Sequence, residues 1–328
     1  MSEIVGHDAQ IHALTDAVAS GRLHHGWILA GPKGIGKASL ARAFARRLLA
    51  DAAGPLSQLP GLDVDAAHPN ARLMDAGSHP DFIEITRLSK DKDEGNLARN
   101  INVDQIRATR KALTMRPSMA DQRVVLIDAA DDMERPAANA LLKYLEEPPS
   151  NTLFLLISHA PGRLLPTIRS RCRVLTFKPL DDAQTLAVVR RALPEATEAE
   201  LRSIIAGADG SPGRAVSFAG LDMAGLDDAL GAIAHSGDPD NSKRVALAKS
   251  LSGKAAKARY DAFLERVPAF LAARARQSQG PEMKAALDQW DAARQLAGGA
   301  LLLNLDPMTT VVSLCGMVAA VGVGRQAA

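Results

Sequence analysis

The chain has 328 residues, 47% of them hydrophobic, which is enough for two or three domains that each bury a core. Its 39 Lys and Arg residues nearly balance its 37 Asp and Glu residues, so the net charge of +2 gives no whole-chain case for nucleic-acid binding and leaves any such contact to a local patch. Aromatic residues make up only 3% of the chain, which argues against a base-stacking surface.

The N-terminal segment 1–10 lacks the basic flank and apolar core of a signal peptide. The most apolar C-terminal stretch, 308–323, is shorter than a membrane span and has polar breaks. Cys172 and Cys315 lie far apart in sequence, which fits neither a disulfide framework nor a CxxC-type metal site. We therefore expect a cytoplasmic protein without a membrane contact.

The first predicted elements are a short apolar strand at 27–30, a glycine loop at 31–37 and a helix from 38 to 50. The loop, GPKGIGK, fits the phosphate-binding pattern G-x-x-x-x-G-K. Its glycines let backbone N–H groups converge on phosphates at a helix N-terminus, and its lysine reaches the terminal phosphates. The residues predicted to contact ATP or ADP here are Gly31, Gly34, Gly36 and Lys37.

The position after the loop lysine normally supplies a hydroxyl to magnesium, but here it is Ala38. Ser39 follows and joins the predicted nucleotide-contacting residues, although it points about 100° further round the helix. We therefore expect nucleotide binding that is weak or vestigial. The alternative is a glycine loop that serves only as a fold element around an empty site.

Residues 51–80 are rich in Ala, Gly, Pro and Asp with little periodicity, and we interpret them as an irregular insertion. From residue 87 to 111, charges of both signs are interspersed, including Lys90 and Lys92. A solvated surface is favoured there over a track for the DNA backbone. If DNA does touch the chain, we expect contacts to phosphates that are independent of base sequence.

Two further strands are predicted at 124–127 and 153–157, separated by a helical pattern within 133–147. Strands that alternate with helices predict an α/β fold with a parallel sheet covered on both faces. The strand at 124–127 has the form of a Walker B motif, which places Asp128 at the edge of the sheet where ligands bind. The next residue is Ala129, whereas hydrolysis needs a carboxylate that orients the attacking water. Ala38 and Ala129 together predict a site that does not hydrolyse ATP.

Two segments carry a resemblance to a known family. The segment AANALLKYLEEPP at 137–149, followed by PTIRSRC at 166–172, closely resembles the clamp-loader subunits of bacterial DNA polymerase III, which are AAA+ proteins of the delta-prime and tau/gamma types. The likeness spans roughly residues 4–177 and is weaker beyond them. It implies a RecA-like AAA+ P-loop domain at 1–178, a small helical lid at 179–221 and an all-α collar at 222–328 through which subunits form a ring. Helical periodicity after residue 222 agrees with the last of these.

The resemblance also implies site residues. Arg171 would be an arginine finger that reaches into the ATP site of a neighbouring subunit, because a planar, permanently charged fork stabilises a transferring phosphoryl group. Without the resemblance, Arg169, Arg171 and Arg173 would be interpreted as alternating surface charges. Cys172 is interpreted as a small buried residue and not as a reactive thiol.

Two sensor positions follow from the same resemblance. Ser158 or His159 would sense the terminal phosphate, and Arg214 would do so from a lid helix; otherwise these residues cap a strand and a helix. Many members of the family carry a four-cysteine zinc module after the first helix, but the insertion here contains no cysteine. We therefore predict no zinc.

The sequence thus predicts a delta-prime-type subunit that does not itself hydrolyse ATP and that supports sliding-clamp loading in DNA replication. Its expected partners are the tau/gamma motor subunits and the delta subunit, with the clamp and primed DNA reached through the complex. The main alternative is an ATP-hydrolysing tau/gamma-type motor subunit, which Ala38, Ala129 and the chain length disfavour. A Holliday-junction or repair helicase of the AAA+ group gains little support from the two diagnostic segments.

Overall fold

The computed structural model describes residues 4–89, 98–119, 121–300 and 303–322. The chain divides into two compact units, Met1–Gln184 and Thr185–Ala328. The helices and strands of the first unit, in chain order, are α1 Asp8–Ala19, β1 Gly26–Ala30, α2 Lys37–Ala52, α3 Pro69–Asp75, β2 Phe82–Thr86, α4 Val103–Ala108, α5 Arg110–Thr114, β3 Arg123–Asp128, α6 Arg135–Glu146, β4 Thr152–Ser158, α7 Pro166–Arg169 and β5 Arg173–Thr176. Helix α8, Asp182–Ala192, begins in the first unit and continues into the second.

The five strands form one parallel sheet in the order β2-β3-β4-β1-β5. All residues of β1 and β4 are buried, because both faces of the sheet are covered. Successive strand side chains enter opposite cores: Leu29 and Leu155 pack on the side of α1 and α2, whereas Ile28 and Phe154 pack on the side of α4 and α6. The predicted fold class, a parallel α/β sheet followed by helices, is confirmed.

The three predicted strands lie within one residue of β1, β3 and β4, but β2 and β5 were not predicted. Both are edge strands, and their residues are largely exposed or half-buried, so they lack a continuous apolar run. The insertion is also more regular than its composition suggests, because it contains α3. The His68 side chain caps that helix by accepting a hydrogen bond from the Asn70 N–H.

Arg47 on α2 holds the insertion in place through one carboxylate and several carbonyl groups. Its Nε donates to the carboxylate of Asp51 at 2.6 Å, and its two Nη atoms donate to the carbonyls of Ser57, Leu59 and Asp63 at 2.7–3.0 Å. Because carbonyls from three points of the loop meet at one guanidinium, the loop is cross-linked by hydrogen bonds.

Replacing Arg47 with Met is therefore expected to loosen the insertion without unfolding the sheet. Each lost hydrogen bond is worth about 1 kcal/mol, so amide exchange over residues 57–63 should accelerate by roughly tenfold or more. Hydrogen-exchange mass spectrometry measures this. Arg72→Met, at an exposed position of α3, is the matched control and should leave exchange in that loop unchanged.

The second unit is helical throughout the part that the structure describes. After α8 it contains α9 Glu198–Ala206, α10 Pro212–Ser217, α11 Met223–Ser236, α12 Ser242–Leu251, α13 Lys257–Gln277, α14 Gly280–Ala300 and α15 Pro307–Ala320. One continuous core joins these helices, with Leu201, Phe218, Leu230, Phe263 and Leu314 among its buried members. The predicted division between lid and collar at residue 222 stays a prediction. None of the described helices combines the length and the apolar character needed to span a bilayer.

Candidate nucleotide-binding site

The glycine loop joins β1 to α2 at the carboxyl edge of the parallel sheet. Gly36 precedes α2 with φ of 100°, a backbone conformation that favours glycine. Gly31 has φ of 155°, and a Cβ placed on it would lie 2.5 Å from the carbonyl oxygen of Phe177. The His7 side chain supports the other side of the loop, since its Nε2 lies 2.7 Å from the carbonyl oxygen of Ile35. The loop is thus fixed by packing within the protein.

Lys37 is folded back onto its own loop. Only 2% of the residue is exposed, and Nζ donates to the carbonyls of Gly31, at 2.7 Å, and Pro32. The third contact of Nζ is Nδ1 of His159, at 3.1 Å. Burial lowers the pKa of Lys37 to about 8, although the nearby carboxylates of Asp128 and Asp131 act in the opposite direction.

Asp128 is the last residue of β3 and lies beside the ion pair between Arg42 and Glu84. Its Oδ2 lies 3.6 Å from Arg42, whose Nε donates to Glu84 on β2 at 3.0 Å. Burial raises the pKa of the Asp128 carboxyl, and the positive charge of Arg42 offsets part of this effect. The carboxylate of Asp128 is therefore paired with Arg42, and the charge of Lys37 is near enough to lower the pKa of that carboxyl as well.

Asp131 connects this edge of the sheet to the end of β4. It lies in a short 3-10 turn and accepts hydrogen bonds from the hydroxyl of Ser158, at 2.8 Å, and from the backbone N–H of His159. Ser158 is fully buried and its hydroxyl is used in this contact, so His159 is the sensor candidate that faces the loop. The sequence patterns do not single out Asp131, because its partners lie 27 and 28 residues away.

Magnesium, which a P-loop of this kind would hold, does not fit these residues. The position after Lys37 offers only the methyl group of Ala38, and Ser39 is exposed on the helix. Ala129 brings no carboxylate, and the carboxylate of Asp128 lies against Arg42. Among the described residues, no group of three or more His, Cys, Asp or Glu side chains is placed to hold a metal ion.

Arg171 lies between α7 and the edge strand β5. One Nη donates to the carbonyl of Thr167 at 3.0 Å, and the other lies 2.9 Å from the carboxylate of Glu146, at the end of α6. The Arg171 side chain is 35% exposed, and that of Glu146 is 48% exposed. The finger candidate is thus held at the surface by weak contacts that another anion can replace.

The neighbours of Arg171 have other surroundings. Arg169 is exposed, whereas the guanidinium of Arg173 lies 5.8 Å from the centre of the Trp27 ring. Burial raises the pKa of the Cys172 thiol to about 12, so this sulfur is a poor nucleophile at neutral pH.

Arg214 lies in the second unit, in the first turn of α10. Its guanidinium pairs with Asp209 at 3.2 Å and with Glu265 at 3.1 Å. Its assignment as a nucleotide sensor stays a prediction. Lys90 and Lys92, which belong to the charged stretch considered for DNA contact, lie outside the described residues.

Comparison with known proteins identifies the family. The sequence matches the family described as "DNA polymerase III, delta subunit" over residues 6–181, which is more than half of the chain. The chain belongs to the DNA polymerase III delta-subunit family. The resemblance inferred from the 137–149 and 166–172 segments is confirmed.

Curated relatives of this delta-subunit family member include two types of polymerase III subunit. It is 38% identical over 192 residues to the DNA polymerase III subunit delta' of Pseudomonas aeruginosa, a match that covers 57% of the chain and 53% of the relative. It is 33% identical over 183 residues to subunit tau/gamma of Haemophilus influenzae, with 56% of the chain and 24% of the relative covered. The chain thus spans about half the length of the first relative and about a quarter of the second.

A solved structure of a DNA polymerase III gamma subunit-related protein from Thermotoga maritima aligns over 94% of the chain and 98% of its own length. The identity is 17% and the TM-score is 0.42.

Proposed function

We propose that this delta-subunit family member is a clamp-loader subunit of the delta-prime type, which does not hydrolyse ATP and donates Arg171 to the ATP site of a neighbouring motor subunit. The observation that carries the proposal is the contrast between the chain's own nucleotide site and the exposed Arg171. The chain's own site lacks the magnesium-binding hydroxyl, at Ala38, and the water-orienting carboxylate, at Ala129, whereas Arg171 lies at the surface beside the edge strand β5.

The partners proposed for this role are tau/gamma motor subunits and the delta subunit of the same complex. The match to a tau/gamma subunit supports a shared architecture, since related subunits assemble through equivalent surfaces. The sliding clamp and primed DNA would be reached through the complex, and a DNA contact would involve phosphates. Those partners belong to the cytoplasm, where we place this chain.

Nucleotide binding by the chain itself is proposed as a weak, magnesium-independent activity. The glycine pattern of the loop and its lysine support nucleotide binding, but Nζ of Lys37 is already bound to three acceptors. A ligand has to replace one of them, which lowers the affinity for ATP or ADP.

The test is ATP turnover by the purified chain, first alone and then with the motor and delta subunits, clamp and primed DNA. We expect no turnover by the chain alone and a clear stimulation of the mixture. Lys37→Ala should change the rate of the mixture by less than about twofold, because the loop does no chemistry. Magnesium-dependent turnover by the chain alone, lost in Lys37→Ala, would instead favour the tau/gamma-type motor.

A further inference from the structure

The ammonium group of Lys37 has no N–H left for a phosphate. An ammonium has three donors, and Nζ lies within hydrogen-bond distance of three acceptors: the carbonyls of Gly31 and Pro32 and the imidazole Nδ1 of His159. Two of these acceptors are backbone groups of the loop itself. The third is a side chain directly after β4, which is not part of the loop.

The contact also determines the state of the imidazole. Nδ1 can accept from an ammonium only if it carries no proton, so the ring proton of neutral His159 belongs on Nε2. Burial lowers the pKa of His159 to about 4, and the positive charges of Lys37, Lys33 and Arg87 act in the same direction. The carboxylate of Asp131 opposes them. At neutral pH the free chain therefore holds a neutral imidazole.

We propose that His159 is a proton-linked phosphate-binding residue, which holds Lys37 in the free chain and donates to the terminal phosphate of a bound nucleotide after taking up one proton. This inference rests on the nucleotide site of the proposed function and adds a proton linkage to its sensor candidate. The ligand class is a nucleoside di- or triphosphate without its metal ion.

When the phosphate replaces His159 as a partner of Lys37, every proton can be accounted for. The phosphate accepts from Lys37, which keeps its proton but releases Nδ1 of His159. Nδ1 then takes a proton from solvent, and the imidazolium donates to a phosphate oxygen. No covalent bond forms or breaks. The dianionic phosphate stabilises both cations, so the pKa of His159 rises on binding.

The sign of the pH dependence follows from linkage. Because His159 carries one more proton in the bound state than in the free state, its contribution to the affinity increases as pH falls through the pKa of His159 in the complex. The carboxylates of Asp128 and Asp131 also surround Lys37. Because the pKa of Lys37 is lowered to about 8, the titration of Lys37 adds a smaller increase in affinity as pH falls near 8. Replacing His159 with Asn removes the first effect and leaves the second.

The experiment is a calorimetric titration of the full chain with ADP in EDTA at pH 6 and pH 8, in two buffers of different ionisation enthalpy. The wild type is expected to take up more protons at pH 6 than His159→Asn does, and to gain at least about threefold more affinity between pH 8 and pH 6 than that variant. His12→Asn, at an exposed position of α1, is the matched control and should behave as the wild type. Free ADP titrates identically in all three experiments, so its contribution cancels when the proteins are compared.

Two results would overturn the proposal. One is an equal pH dependence in the wild type and His159→Asn, and the other is no ADP binding by the wild type at pH 6. If His159→Asn folds poorly, an NMR titration of the wild-type imidazole with and without ADP gives the same answer, because the midpoint must move to higher pH when ADP binds. Either failure leaves the arginine-finger test intact, since that test measures turnover at another subunit's site.

Discussion

Arg171→Ala is expected to reduce the ATPase rate of a reconstituted loader to the level measured without this chain. An arginine finger contributes on the order of 10³-fold or more to turnover at the site that it completes. The alanine chain should still assemble, because its change removes only surface contacts: the ion pair with Glu146 and the hydrogen bond to the carbonyl of Thr167. Such exposed pairs are worth at most about 1 kcal/mol, so the unfolding temperature should hardly change. Steady-state ATP hydrolysis and thermal unfolding are measured on the same preparations.

Arg169→Ala is the matched control, since Arg169 is an exposed arginine of the same segment, two residues away. It should leave the ATPase rate of the loader unchanged. Arg171→Lys should recover little activity, because lysine cannot replace a bidentate fork. A loader that keeps its full ATPase rate with Arg171→Ala would exclude the finger role.

Asp81→Ala is expected to lower the free energy of unfolding by about 3–5 kcal/mol, because it leaves a buried guanidinium without its counter-ion. Asp81 precedes β2 and is fully buried, as is nearly all of Arg123 at the start of β3, and the two side chains are 3.2 Å apart. The carboxylate also accepts hydrogen bonds from the backbone N–H groups of Ser118 and Met119 at 2.7–2.9 Å. Urea unfolding of the full chain, followed by circular dichroism, measures the loss.

The exposed pair Asp104 and Arg107 provides the control within the same unit. Its side chains are 82% and 69% exposed, and Asp104→Ala should cost less than about 1 kcal/mol. Combining Asp81→Leu with Arg123→Met should recover part of the stability, since a buried pair can be exchanged for apolar side chains. Equal losses for Asp81→Ala and Asp104→Ala would contradict the importance assigned to the buried pair.

The central strands and the loop could be predicted because each depends on local pattern. Buried strands such as β1 and β4 are continuous apolar runs, and the glycine loop has a fixed spacing. The edge strands β2 and β5 could not be found in this way, because half-exposed strands mix polar and apolar residues.

The site was predicted only in part for a similar reason. Gly31, Gly36, Lys37 and Asp128 belong to sequence motifs, and the structure brings Lys37 and Asp128 to one edge of the sheet. Asp131 and Arg42 were missed, because each contributes to the site through a partner that is distant in sequence. Asp131 binds Ser158, 27 residues away, and Arg42 binds Glu84, 42 residues away. Long-range pairs of this kind leave no periodicity that a single sequence can reveal.

Gly31 is required for the fold of the loop, independently of any nucleotide chemistry. The carbonyl oxygen of Phe177 leaves no room for any other residue there, whether or not a phosphate ever enters. A chain that had given up ATP hydrolysis would therefore still have to keep the first glycine of its signature in order to fold. Genome surveys that identify ATP-hydrolysing enzymes by G-x-x-x-x-G-K alone would include such a chain. The residue after the lysine, which is Ala38 here, is the better indicator of hydrolysis.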